Sequence, residues 1–220
     1  EKIELAKQSE RQIEYMEGGD LEKFLEAPIE FAESEIVKLR DKAILETFFS
    51  TGLRVSELVN LKKDQVNLNK EEFTVRGKGS KLRVVFMSPS AREWLKKYLD
   101  ARRDMGEWLF VRHDRAASAK PPLNLPLGKG EKEGVDRALT PRSVQRIVEK
   151  YARGAGITKR ITPHTLRHTF ATDLLRNGAD IRSVQSLLGH SSITTTQVYT
   201  HVTDAQLREI HKTFHGKRRI

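Results

Sequence analysis

Residues 73–86 read FTVRGKGSKLRVVF, and this stretch decides the fold class. Residues 73–75 and 82–86 are rich in the β-branched and aromatic types that favour strands. Between them, the Gly-Lys-Gly-Ser-Lys run of residues 77–81 predicts a tight turn. The sequence therefore predicts one antiparallel β-hairpin.

Helical patterns lie on both sides of this hairpin. Apolar spacing, caps and stop residues predict helices over residues 1–17, 21–26, 36–49, 55–61, 91–103, 141–153, 163–176, 181–188 and 204–214. Residues 115–137, rich in Pro and Gly, predict a long exposed loop. The expected fold class is mainly α with a small antiparallel β-sheet.

The chain is predicted to hold one main domain with a short segment at each end. Gly18-Gly19 ends the first predicted helix, so we expect residues 1–20 to be a linker or helical remnant. Residues 21–202 would form the domain, and residues 203–220 would form a tail helix. Since the sequence does not open on Met, we expect it to start at or after a linker.

Charge and composition favour a polyanion as the partner. The 220 residues include 40 Lys and Arg against 30 Asp and Glu, a net charge of +10. Residues 1–35 carry a net charge of −7, so the remainder carries +17. Nucleic acid is the first expectation for such a surface. Cysteine is absent, which excludes disulfides, and no apolar run approaches the ~18 residues of a membrane helix. We therefore expect a cytoplasmic protein with no membrane partner.

The run His164-Thr165-Leu166-Arg167-His168 is a candidate phosphate site. A guanidinium fork and an imidazole on one side of a helix suit a phosphate group, although an ordinary basic surface patch explains them equally well. A zinc site is disfavoured, because Thr165 stands where a metalloprotease helix needs Glu.

Lys78 lies between two glycines at the tip of the predicted hairpin. A nucleotide-binding P-loop is excluded, because Glu72 and Gly79 occupy the positions that need Gly and Ser or Thr. Lys78 is then either a solvated surface lysine or a mobile ammonium that reaches a bound phosphodiester.

Tyr199 follows His190 by nine residues, within a run rich in Thr, Ile and Val. A tyrosine in a helix is most often a core aromatic. β-Branched residues form weak helices, however, and a weakly held helix would allow a nucleophile to move.

Together these motifs resemble the catalytic domain of the tyrosine recombinases, nearest to the Xer type and its phage and transposon integrase relatives. The matching segments are residues 51–58, 77–81, 162–168, 188–192 and 198–201, in an order and spacing that fit from about residue 21 to residue 214. The resemblance implies the tyrosine recombinase catalytic-domain fold. The loop at residues 115–137 is longer than is usual for the family.

The resemblance implies a role for each matching residue. Arg54 and Arg167 would clamp the scissile phosphate, and Glu57 would orient its neighbours. Tyr199 would be the nucleophile, with His164 as general acid and base. His190 would contact the phosphate, and Lys78 would protonate the leaving 5′ oxygen, with Lys81 as its rival. Further DNA contacts are expected at Lys81, Arg83, Arg142, Arg146, Lys159, Arg160 and His168.

The implied activity is site-specific DNA recombination through a 3′-phosphotyrosine, with no metal, ATP or other cofactor. Implied partners are double-stranded DNA with a specific site and a homo- or hetero-tetramer on two duplexes. Chromosome-dimer resolution is favoured over integration of a mobile element. The tail stripe of Leu207, Ile210 and Phe214 would dock in trans on a neighbour or fold back in cis. The alternative is a non-catalytic DNA-binding protein on the same fold.

Overall fold

Helices dominate the structure, and one two-stranded sheet lies among them. The computed structural model describes residues 15–77, 82–113, 138–189, 211–213 and 215. Its elements are α1 (Gly18–Phe31), α2 (Glu35–Thr51), α3 (Val55–Val59), β1 (Glu72–Arg76), β2 (Leu82–Phe86), α4 (Pro89–Ala101), α5 (Pro141–Gly154), α6 (Pro163–Arg176) and α7 (Ile181–Leu188). The predicted class, mainly α with a small antiparallel sheet, is confirmed. Within these ranges no helix is long and apolar enough to cross a membrane.

Strands β1 and β2 form the predicted hairpin. They pair antiparallel, with Glu72 opposite Phe86 and Arg76 opposite Leu82. Phe73, Val75 and Val85 are buried, so one face of the sheet packs on the core. Each strand is confirmed within a residue of its predicted bounds, and the hairpin tip at residues 78–81 lies outside the described residues.

Helix α2 is the centre of the core. Every residue from 40 to 51 is buried, and α1, α4 and α6 pack against this helix. A second, smaller cluster joins β2, α6 and α7 through Phe86, Phe170 and Leu187. This cluster holds β2 and α6 against α7.

Burial on all sides forces the charged residues of α2 to find partners inside the protein. The Lys42 ammonium donates to the Leu25 carbonyl at 2.9 Å, to Glu26 at 2.7 Å and to Glu46 at 2.9 Å. An unpaired buried ion would cost several kcal/mol. The apolar spacing predicted this helix but not the burial of its charged face.

A second buried network joins α2 to α5. Asp41 accepts from Arg40 Nε at 2.7 Å and from the Tyr151 hydroxyl at 2.8 Å. Arg40 also donates to the Val111 carbonyl at 3.3 Å. Burial, together with the nearby Asp41 carboxylate, raises the pKa of Tyr151, so its hydroxyl keeps its proton and donates.

The first helix differs from the prediction. Gly18 and Gly19 open α1 instead of ending a helix, and α1 continues through Pro28 to Phe31. Leu21, Phe24 and Leu25 are buried, and this packing outweighs the poor helix propensity of glycine. Residues 15–17, predicted to end the first helix, are not helical, and Glu17 is extended at φ −81° and ψ 162°. Residues 1–14 lie outside the described residues, so a helix there stays a prediction.

The chain just before α1 is tied to α6. Met16 is buried, and its backbone N–H donates to Thr169 Oγ1 at 3.1 Å. The predicted linker therefore includes residues that contact the body of the protein, while the division into three segments stays a prediction.

Most helix ends follow the predicted capping residues. Thr140 and Thr162 accept from backbone N–H groups of their first turns, at 3.1 Å and 3.2 Å. Asp180 caps α7 in the same way. Helix α3 ends two residues before its predicted end, at Val59.

Gly52 ends α2 as predicted, in the left-handed conformation at φ 59°. A Cβ atom on this residue would lie 2.5 Å from Phe170 Cδ1, so both backbone angle and space require glycine. The turn it allows sends the chain directly into Arg54 and α3.

The predicted loop at residues 115–137 lies outside the described residues, and the tail is described only at residues 211–213 and 215. Val111 and Ala138, which lie in the described residues on either side of that gap, form an isolated antiparallel bridge. In the tail, the His211 ring contacts the Ser50 carbonyl at 2.6 Å, and His215 lies 3.3 Å from the Asp173 carboxylate. These residues contact their own chain in cis. The predicted stripe of Leu207, Ile210 and Phe214 lies outside the described residues, and docking in trans stays a prediction.

We expect Asp41→Asn to destabilise the fold by about 3–5 kcal/mol, because it leaves the buried Arg40 guanidinium without its counter-charge. Tyr151→Phe removes one hydrogen bond to the same carboxylate and should cost only about 1–3 kcal/mol. Urea unfolding at pH 7 measures both changes. Equal losses in the two variants would contradict a charge-compensating role for Asp41.

Acid should destabilise the protein through His211. Burial, with a smaller contribution from His215, lowers the pKa of His211 to about 3. An unfolded histidine has a pKa of ~6.5, so the unfolded chain binds the proton first and stability falls as pH drops below that value, by up to ~1.4 kcal/mol per pH unit.

Urea unfolding at pH 7 and pH 5 tests this linkage against His211→Gln, which keeps a side-chain donor near Ser50. Between pH 7 and pH 5, the free energy of unfolding of the natural protein should fall by about 1–2 kcal/mol more than that of the variant. An identical pH dependence would show that His211 does not contribute.

Candidate active site

Arg54 lies at the turn between α2 and α3. Its backbone N–H donates to Glu57 Oε2 at 2.7 Å, and its guanidinium donates to Glu57 Oε1 at 2.9 Å. The side chain is 33 % exposed, whereas that of Glu57 is 4 % exposed. The first turn of α3 thus fixes the base of Arg54 and leaves its guanidinium partly open to solvent.

Glu57 is shared between two arginines. Arg83 from β2 donates to both of its oxygens, Nη1 to Oε1 at 2.6 Å and Nη2 to Oε2 at 2.9 Å. Burial alone would raise the pKa of Glu57, but the hydrogen bonds from Arg83 and Arg54 outweigh it and lower the pKa. Glu57 is therefore a carboxylate at neutral pH.

Three guanidiniums meet the last carbonyls of α7. Arg83 Nε donates to Leu187 O at 3.4 Å, Arg167 Nη2 donates to Leu188 O, and Arg54 Nη2 donates to Gly189 O at 3.2 Å. Carbonyls at the end of a helix lack partners within the helix and carry partial negative charge. The C-terminal end of α7 therefore holds the three cations in one place.

Arg167 is the most deeply placed of the three. It is 5 % exposed, and its Nη1 also donates to the Gly52 carbonyl at 2.5 Å. Burial lowers the pKa of Arg167 to about 9, and repulsion by Arg54 and Arg83 acts in the same direction. Arg167 remains charged at neutral pH, at the centre of a positive cluster.

His164 and His168 lie together on α6, beside Arg167. Their Nε2 atoms are 2.9 Å apart, and the rings meet edge to face. His164 is exposed and His168 is half-buried. Burial lowers the pKa of His168, and the neighbouring His164 and Arg167 lower it further. A neutral His168 can accept a proton or a hydrogen bond from its partner.

An open cleft of about 460 Å³ borders Arg54 and Glu57. Its other walls include Asn60 and Gln65 after α3, together with Thr74 and Arg76 on β1. The exposed side of the Arg54 guanidinium therefore has room for a ligand of the size of a phosphodiester. In the described ranges no group of three His, Asp or Glu side chains is placed to hold a metal ion.

The structure brings together four of the predicted site residues, Arg54, Glu57, Arg83 and Arg167, and places His164 and His168 on the helix that carries Arg167. Four others lie outside the described residues: Lys78, Lys81, His190 and Tyr199. His190 directly follows Gly189 in the sequence. The remaining basic candidates are exposed on α5 and on the connection to α6: Arg142, Arg146, Lys159 and Arg160.

Two features of the cluster were not predicted from the sequence. One is the role of the α7 carbonyls as acceptors, which depends on how distant segments pack. The other is the pairing of Arg83 with Glu57. Arg83 precedes the buried Val85 by two residues, and strand alternation puts both on one face of the hairpin. That alternation was the available indication that Arg83 points inward.

Comparison with known proteins identifies the family of this chain. The sequence profile described as "Phage integrase family" matches residues 14–206. The tyrosine recombinase XerC of Thermodesulfovibrio yellowstonii is 43% identical over 196 residues, which cover 89% of this chain and 60% of that protein. The tyrosine recombinase XerD of Listeria monocytogenes is 39% identical over 218 residues, 98% of this chain and 67% of that protein. The chain thus spans about three-fifths to two-thirds of the length of these relatives.

Solved structures agree with the sequence comparison. The XerA recombinase superposes with a TM-score of 0.64 at 35% identity, covering 90% of this chain and 64% of that one. The XerH site-specific recombinase, in a pre-cleavage complex with its difH substrate, superposes with a TM-score of 0.65 at 26% identity, covering 92% and 55%. The predicted tyrosine recombinase fold is confirmed, and the chain belongs to the phage integrase family as a relative of the Xer tyrosine recombinases.

Proposed function

We propose that the protein is a site-specific recombinase that cuts and rejoins double-stranded DNA through a 3′-phosphotyrosine intermediate. The observation that carries the proposal is the cluster formed by Arg54, which borders an open cleft, and the buried Arg167, backed by a third arginine and one carboxylate. Gathering like charges in this way is costly unless an anion completes the site. The phosphodiester backbone of DNA is such an anion.

In this proposal Arg54 and Arg167 bind the non-bridging oxygens of the scissile phosphate. Each guanidinium spends part of its donors on carbonyls at the end of α7, which fixes its direction and leaves other N–H groups for the ligand. Negative charge grows on these oxygens in the transition state. Donors that are already held in place stabilise that charge without reorganising.

The proposed reaction consists of two successive phosphoryl transfers. The Tyr199 oxygen bonds to phosphorus, the bond from phosphorus to the 5′ oxygen breaks, and the tyrosine proton passes to His164. Lys78 supplies a proton to the departing 5′ oxygen. A 5′-hydroxyl then attacks the phosphotyrosine and reverses these steps, so the covalent link keeps the bond energy for rejoining.

The histidine pair supports the role of His164. Free tyrosine has a pKa of ~10 and needs a base to attack near neutral pH. His168, kept neutral by burial, lies at hydrogen-bond distance from His164 and can orient its ring or accept a proton from it. His164 itself is exposed to solvent.

The expected partner is duplex DNA, because the charge of the body is strongly positive and the XerH relative was solved with its difH substrate. We further propose a homo- or hetero-tetramer on two duplexes. Chromosome-dimer resolution in the cytoplasm is the cellular role that fits the Xer relatives best.

The natural protein should form a covalent adduct with nicked duplex DNA, and Tyr199→Phe should form none. A pool of nicked duplexes with a randomised centre removes the need to know the target site. Denaturing gels reveal the adduct, and sequencing the captured DNA reveals the site. DNA binding without an adduct from any duplex would favour the accessory DNA-binding protein instead.

Arg54→Gln should slow adduct formation by about 10²–10³, because it removes one prepositioned donor from the phosphate. Because the Arg54 side chain is partly exposed, we expect the substitution to change the stability of the fold much less than it changes the reaction rate. Single-turnover rates at saturating DNA and urea unfolding separate the two. Arg103→Gln removes an exposed arginine beyond the end of α4 and is the charge-matched control. Equal slowing by both variants would indicate a general charge effect.

A further inference from the structure

We propose that Arg83 is a positioning residue that keeps Arg54 available to the scissile phosphate. It does so by occupying both oxygens of Glu57 and by holding the end of α7. This inference deepens the proposed function and depends on it. From the sequence, Arg83 is expected to contact DNA, and the structure offers a different role for the same residue.

Arg54 and Arg83 compete for the Glu57 carboxylate. A carboxylate close to an arginine tends to form a two-bond fork with it, which satisfies and neutralises that arginine. Here Arg83 holds the fork, with contacts of 2.6 Å and 2.9 Å. The Arg54 guanidinium donates a single hydrogen bond to the same carboxylate, from Nη1 at 2.9 Å, and its Nη2 donates to the Gly189 carbonyl. Arg83 thus prevents Glu57 from closing on Arg54.

Arg83 also affects the net charge of the cluster around Glu57. Glu57 faces two guanidiniums directly, and Arg167 is a third cation nearby. With Arg83 in place the group keeps excess positive charge next to the cleft. Without Arg83, Glu57 and Arg54 would form a neutral pair at the position where the phosphate should bind.

The burial of the Arg83 side chain favours a positioning role over a DNA contact. The Arg83 side chain is only 11 % exposed, against 33 % for Arg54. All of its guanidinium nitrogens already have protein partners, because Nε donates to Leu187 O. These contacts use three of the five N–H donors, and the mostly buried side chain presents little surface to DNA. Positioning, in contrast, needs only the contacts that Arg83 already makes.

Arg83 also packs closely on Gly189. Gly189 has φ 60°, and a Cβ built on it would lie 2.7 Å from Arg83 Cδ. The Arg83 stem therefore fills the space beside the residue that precedes His190. One side chain links the hairpin, the α3 turn and the end of α7, the three segments that carry the proposed site.

The test compares Arg83→Gln, Arg83→Lys, Glu57→Gln and the double variant Glu57→Gln/Arg83→Gln. Single-turnover adduct formation on the captured nicked duplex is measured at saturating DNA, together with the salt dependence of DNA binding. Arg83→Gln should slow the reaction by about 10–100-fold, since a misplaced donor loses much of its transition-state stabilisation. Arg83→Lys keeps the positive charge but not the two-bond fork, and it should slow the reaction less than Arg83→Gln does.

The double variant is the decisive comparison. A glutamine at position 57 cannot neutralise Arg54, so Glu57→Gln should restore part of the rate lost in Arg83→Gln. A merely structural Arg83 would not give such a rescue. Losses that multiply in the double variant would overturn the proposal. So would a salt slope reduced by about one in Arg83→Gln, which is the mark of a lost phosphate contact.

Failure of the proposed function is seen separately, as the absence of any adduct from the natural protein. In that case the link between Arg83 and Glu57 is tested by a double-mutant cycle on urea unfolding. Coupling between the two changes should alter the unfolding equilibrium by a few-fold to ~100-fold. Independent effects would show that the fork does not hold Glu57, and the proposal would fall with it.

Discussion

The site depends on the C-terminal end of α7, where three consecutive carbonyls accept from three different arginines. Like charges repel, and the peptide dipoles at a helix terminus partly offset that repulsion. Glu57 supplies the only full negative charge seen within this group of described residues. The balance stays positive, which is the state that a phosphate-binding site needs before its ligand arrives.

Helix α2 positions two of these arginines. It is buried on every side, and its end at Gly52 presents a carbonyl to Arg167 while the following turn presents Arg54. Its own charged residues are satisfied by internal partners such as the Tyr151 hydroxyl and the Leu25 carbonyl. Because these bonds join α2 to α1 and α5, the position of Arg54 is set by packing across the whole domain.

Local chemistry explains which parts were predictable from the sequence. The hairpin, the stop at Gly52 and the caps at Thr162 and Asp180 depend on residues within a few positions of each other, and all were confirmed. The helix predicted over residues 21–26 exists, but its bounds were wrong, because Gly18 and Gly19 are poor helix residues whose cost is met by distant core contacts.

The candidate site shows the same division. Its members Arg54, Glu57, Arg167 and His164 were recognisable from motifs, and their mutual arrangement was not. The fork between Arg83 and Glu57 joins residues 26 positions apart, and the bond from Arg54 to Gly189 spans 135 positions. Contacts at such separations follow from tertiary packing, which local patterns do not encode. The roles of Lys78, His190 and Tyr199 stay predictions.

The contact between Gly189 and Arg83 has a consequence for comparing or redesigning members of this family. Any side chain at position 189 would enter the volume that the Arg83 methylenes fill, in addition to straining the backbone. The two positions therefore form one steric unit, and a replacement at either is interpretable only alongside the residue at the other. A designer who wishes to alter the chain path into His190 must first shorten or relocate the arginine on the neighbouring strand.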